Sequence, residues 1–104
     1  MKTNNLNEFQ ELAVKVVKDL DKIRNINHDK DVTMHHLTEE LGEIAREIFN
    51  DKTGRKKIDR ENLKGEIVDI MILASYLAYL HDIKLEDALK FKLNNFKERF
   101  NLEV

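Results

Sequence analysis

The sequence predicts an all-α fold, a bundle of about four helices in one domain spanning residues 1–104. Three observations carry this expectation. The 104 residues contain no proline and only three glycines, too few turn-formers for a β-rich chain. Charged residues make up 37% and hydrophobic residues 41%, a balance that suits long helices with solvated outer faces. Apolar residues recur at spacings of three and four, the period of one helical face.

The first periodic segment runs from about Asn5 to Asn27, with Leu6, Phe9, Leu12, Ala13, Val16, Val17, Leu20 and Ile23 on one stripe. Residues 27–31 read as a polar connection. A second helix is expected from Thr33, a fair N-cap, with Met34, Leu37, Leu41, Ile44, Ala45, Ile48 and Phe49 as its apolar side. Asn50 to Arg60 is polar, contains Gly54 and reads as a loop. The third helix runs from Arg60 to about His81, and its second half is apolar nearly all round, which marks it as the central helix. The fourth runs from Leu85 to about Asn101.

Bulk properties exclude several classes. The net charge of −2 gives no general attraction to nucleic acid or to an acidic membrane surface. Without cysteine there is no disulfide or thiolate metal site. The longest apolar run, Ile70 to Leu80, is too short for a membrane-crossing helix. The first residues lack the apolar centre of a signal peptide, so a cytoplasmic protein is expected. A chain of this length buries a moderate fraction of its surface, which leaves room for self-association to extend the core.

The chemistry-bearing residues are acidic. Glu40 and Glu43, three apart, project from neighbouring points on helix two, and Glu66 and Asp69 repeat the spacing on helix three. The face of Glu66 and Asp69 continues into Ile70, Leu73, Leu77 and Leu80, so these carboxylates lie at the margin of the core. An ionised carboxylate withdrawn from water without a partner costs several kcal/mol. A lysine or arginine, a raised pKa or a metal must compensate. Oxygen donors without thiolates favour a hard ion, Mg²⁺ or Mn²⁺. Gly42, within the acidic cluster, costs helix propensity and suggests a close approach by another helix or a ligand.

Glu39-Glu40-Leu41-Gly42-Glu43 followed by Glu66-Ile67-Val68-Asp69 resembles the signature of the MazG-like nucleotide pyrophosphohydrolases, and the resemblance extends from about Leu37 to Phe100. It implies an all-α fold assembled as dimers, sometimes as dimers of dimers. It also implies hydrolysis of a (d)NTP to a (d)NMP and pyrophosphate, with metal ligands matching Glu40, Glu43, Glu66 and Asp69. Glu39 matches a glutamate that binds a further metal or orients water, and Glu43 joins it as a catalytic candidate. Phosphoribosyl-ATP pyrophosphohydrolases are similar but carry a histidine where this chain has Leu73. Ferritin-like Glu-x-x-His pairs are absent, since no histidine follows Glu40, Glu43 or Glu66 by three.

Cations for a triphosphate are less well marked. Lys92 and Arg99 match basic positions of the family, while the family's asparagine position holds Phe96, with Asn95 beside it as a substitute. An ordinary polar helix face is the alternative. The basic stretch Lys52, Arg55, Lys56, Lys57 and Arg60 reads as a solvated loop, with a phosphate lid as the sharper reading. His35 and His36 read as surface or satisfied histidines, and Tyr76 and Tyr79 as packing residues. The competing functions are a noncatalytic helical interaction module and a hydrolase of another phosphoanhydride.

Overall fold

Asn5, Asp29 and Asp59 start three of the four helices. A computed structural model describes residues 5–104, so the first four residues of the expected domain lie outside the described ones. The elements are α1 (Leu6–Arg24), α2 (Lys30–Lys52), α3 (Arg60–Leu80) and α4 (Leu85–Phe100), and no strand occurs among the described residues. Each of the three caps accepts a hydrogen bond from a first-turn N–H: Asn5 from Glu8, Asp29 from Val32, and Asp59 from Glu61 and Asn62. Such a cap satisfies donors that a helix start leaves open. Asn25 and Asn101 end α1 and α4 in the left-handed conformation, with φ of 55° and 52°, which asparagine tolerates better than most residues.

The second helix begins earlier than the sequence suggested. Asp29 supplies the cap, and Thr33 sits inside the helix, fully buried. Aspartate and threonine both favour helix starts, and the polar run at 27–31 concealed which one acts.

As expected, α3 is central: α1 and α2 both pack on it, whereas α4 packs on α1. The buried apolar side chains come from α1, α2 and α3, namely Ala13, Val17, Leu37, Leu73, Tyr76 and Ala78. Gln10 is buried among them and ties the layers together. Its amide donates to the carbonyls of Ser75 (3.3 Å) and Ile83 (2.9 Å), and its oxygen accepts from the N–H of Leu85 (2.9 Å). One α1 side chain thus fixes the end of α3, the turn after it and the start of α4. Lys18 adds a second α1–α3 link by donating to the Tyr79 hydroxyl at 2.7 Å, which also holds its ammonium pKa above the usual value.

Much apolar surface stays open. No α4 residue is buried, and Leu89, Phe91, Leu93, Phe96 and Phe100 are all exposed to solvent. Leu41, Ile48 and Phe49 of α2 are also about half exposed. The radius of gyration is 16.4 Å, against roughly 13 Å for a compact chain of this length. No described helix is long and apolar enough to cross a membrane.

Candidate functional site

Antiparallel-type packing of α2 on α3 brings the two acidic pairs together. Carboxylate oxygens of Glu40, Glu43 and Glu66 lie within 4.8 Å of one another. Asp69 joins them as a wall of the same cleft, about 420 Å³ in volume. The four residues singled out by spacing therefore face one space, three of them in a tight group and Asp69 at its edge.

The remaining walls of the cleft are Arg46, Glu47 and Asn62, which the sequence reading passed over. A signal existed for two of them. Arg46 and Glu47 follow Glu43 by three and four residues, so they continue its helical face. Asn62 shares its amide between Glu47 (3.0 Å) and Glu66 (2.9 Å), clamping the two carboxylates. Glu66 is half-buried, and its pKa is pushed up from 4.5 to about 7. The hydrogen bond with Glu47 contributes most, followed by burial and the negative charges of Glu47, Glu43 and Glu40.

Compensation by an ion pair is not found: among the described residues no lysine or arginine bridges to Glu40, Glu43, Glu66 or Asp69. The uncompensated charges of Glu47, Glu43 and Glu40 instead add to the rise in the Glu66 pKa. Oxygen Oε2 of Glu47 is buried without a hydrogen-bond partner beside this group. An all-oxygen donor set with a spare buried carboxylate oxygen fits a hard divalent cation.

Other sequence candidates lie elsewhere. Glu39 is largely exposed, paired with His35 one turn back, and does not line the cleft. No α4 residue lines it either. Lys92 and Arg99 lie over the rings of Phe96 and Phe100, and Asn95 is exposed. The basic loop after α2 also stays outside, with Arg55 over the Phe49 ring and Gly54 turning the chain at φ 75°. Gly42 has nothing within 4 Å of where a Cβ would stand, so none of the described residues uses the close approach.

Residues 28–101 match the MazG nucleotide pyrophosphohydrolase domain family, a stretch that includes every acidic residue of the cleft. The chain belongs to this MazG family. It is also 36% identical over 69 residues to the uncharacterized protein YpjD of Bacillus subtilis (strain 168), across 64% of this chain. The match spans 62% of that relative's length. No solved structure matches the chain. The MazG match begins at His28, so α1 lies outside it. Yet α1 borders the site: a second cavity of about 290 Å³ opens beside the first, shares Glu40 and Asp69 with it, and is walled by Val16, Leu20 and Arg24 of α1.

Proposed function

We propose that the chain is a metal-dependent nucleoside triphosphate pyrophosphohydrolase, cleaving a (d)NTP to a (d)NMP and pyrophosphate. The convergence of Glu40, Glu43 and Glu66 within 4.8 Å, with Asp69 in the same cleft, carries the proposal. These four residues would hold Mg²⁺, or Mn²⁺ in its place. When bound, such an ion neutralises phosphate charge and lowers the pKa of a water.

The chain's own groups then have distinct tasks. Phosphoryl chemistry depends mainly on charge neutralisation and on an aligned water. Glu43, inside the cleft, would take a proton from that water. Glu39 sits one turn earlier on the same helix and would act as its helper. Arg46 is the cation nearest to hand for a phosphate, since it alone among the described lysines and arginines lines the carboxylate cleft. The adjoining cavity, apolar along Val16 and Leu20 and polar at Arg24 and Asp21, suits the nucleoside half of the substrate.

The open apolar face of α4 supports assembly as a homodimer or homotetramer. Lys92, Asn95 and Arg99 would then bind substrate in a neighbouring copy's cleft. Incubation with a panel of nucleoside triphosphates and Mg²⁺, with products separated by anion exchange, tests the proposal. Monophosphate and pyrophosphate are expected, lost on chelation and in Asp69→Asn. Diphosphate and inorganic phosphate would point to another phosphoanhydride reaction. Failure to turn over any member, with no stabilisation by Mg²⁺, would favour an interaction module.

A further inference from the structure

A line of four polar side chains runs from α1 to the carboxylate cleft. Asp21 grips His28 twice, accepting from its backbone N–H at 2.9 Å and contacting ring Nδ1 at 2.7 Å. Nε2 of His28 lies 3.1 Å from Nδ1 of His36, with the ring centroids 5.3 Å apart. Nε2 of His36 in turn lies 3.3 Å from Oε1 of Glu40. The line spans α1, the α1–α2 connection and α2. Three of its members are well covered, with side-chain exposures of 15% for Asp21, 11% for His28 and 16% for Glu40.

The neighbouring turn supplies an internal contrast. His35 pairs with Glu39 at the same i, i+4 spacing, but both side chains are more than half exposed. Nothing in the described structure stands behind His35, and an exposed pair of this kind holds neither side chain firmly. His36 differs because a second ring and a buried carboxylate back it. That backing restricts the His36 rotamer, and through it the direction of the Glu40 carboxylate. A ligand fixed in advance loses less rotamer freedom when it binds, which is how outer partners tune metal affinity.

We propose that His36, backed by His28 and Asp21, is a positioning residue that aims the Glu40 carboxylate at the divalent cation. The proposal rests on Glu40 being a metal ligand, as read above.

Titration with Mn²⁺, following the free ion by its paramagnetic resonance, reads this directly on the full chain without any substrate. His36→Leu and Asp21→Asn are each expected to weaken Mn²⁺ binding roughly tenfold, the lower end of the effect of outer partners. The double variant should bind no more weakly than His36→Leu alone, because both act through one line. His36→Gln, whose amide N–H can stand in for Nε2, should recover most of the affinity, which a general packing role for the ring would not produce. Circular dichroism checks that each variant keeps its helices, and Asp21→Asn serves if His36→Leu does not fold. Binding within twofold of wild type in folded His36→Leu, or losses that multiply in the double variant, would overturn the positioning role alone. Failure of the wild-type chain to bind Mn²⁺ would overturn both this role and the metal-dependent function.

Discussion

Gln10 satisfies three backbone groups with one amide, and nothing in the sequence around it announces this except its place on the apolar face, three before Ala13 and seven before Val17. Removing it leaves the Leu85 N–H and the Ile83 carbonyl without their partner. Gln10→Leu is expected to destabilise the fold by about 2 kcal/mol, the usual cost of stranding buried polar groups. Urea denaturation measures this, and a change under about 0.5 kcal/mol, the scatter of ordinary surface substitutions, would contradict it. Glu66 gives a residue-scale prediction with a sign. Its folded-state pKa of about 7 lies above the ordinary 4.5, so the folded chain holds that proton more tightly than the unfolded one. Its contribution to stability is therefore full below about pH 4.5 and is lost as pH rises through 7. In a chelating buffer the melting temperature should fall between pH 5 and pH 8, and Glu66→Gln should remove that component. An unchanged slope in Glu66→Gln would show that other groups cause it. The pairing of Glu47 with Glu66 was not legible beforehand. Glu47 belongs to the Glu43 face, but only the placement of Asn62 across the helix contact makes the clamp.

The helices themselves were largely readable. Periodicity located all four, and α3 and α4 begin at Arg60 and Leu85 as expected. The start of α2 was missed because Asp29 and Thr33 are both competent caps, and choosing between them needs the backbone. The apolar stripe of α2 is only partly covered: Leu37 is buried, but Leu41, Ile48 and Phe49 remain half open. Spacing reports which residues share a face, and it does not report whether anything covers that face. Gly42 raises the same issue on α2. Its surroundings are empty, and glycine inside a helix costs about 1 kcal/mol relative to alanine. Gly42→Ala should therefore stabilise the chain by about that amount in chemical denaturation. If the glycine is retained for a ligand or a neighbouring copy, the variant gains stability and loses turnover or assembly. Full turnover together with the expected assembly would show that the position serves neither. Gly65, equally unobstructed on α3, is the matched control for the helix effect.

At the scale of the molecule, a three-helix core carries a fourth helix that is nowhere buried. The phenylalanines at 91, 96 and 100 are exposed, and their cover is expected to come from a second copy. Sedimentation equilibrium should give a mass of two or four chains, reduced by Phe96→Glu together with Phe100→Glu. A single-chain mass at micromolar concentration would contradict this assembly. The acidic site was legible in the sequence because two pairs at i, i+3 lie on helices that must pack. Among cations, Arg46, which lines the cleft, was hidden among ordinary helix-surface charges, while Lys92 and Arg99, marked by resemblance, lie outside this chain's cleft. Arg46→Ala should raise KM for a triphosphate several-fold with a smaller change in kcat, and an unaltered KM would remove Arg46 from phosphate binding.

The central claim is that the carboxylates of α2 and α3 hold a divalent metal for pyrophosphate release. Release of pyrophosphate from a mixed nucleoside triphosphate pool, measured with and without Mg²⁺ in the wild-type chain and in Glu43→Gln, tests it most directly. Mg²⁺-dependent release is expected from the wild type, with a loss of at least a hundredfold in folded Glu43→Gln, the lower range for removing a positioned general base. Release that persists without divalent ions, or that survives in Glu43→Gln, would contradict it.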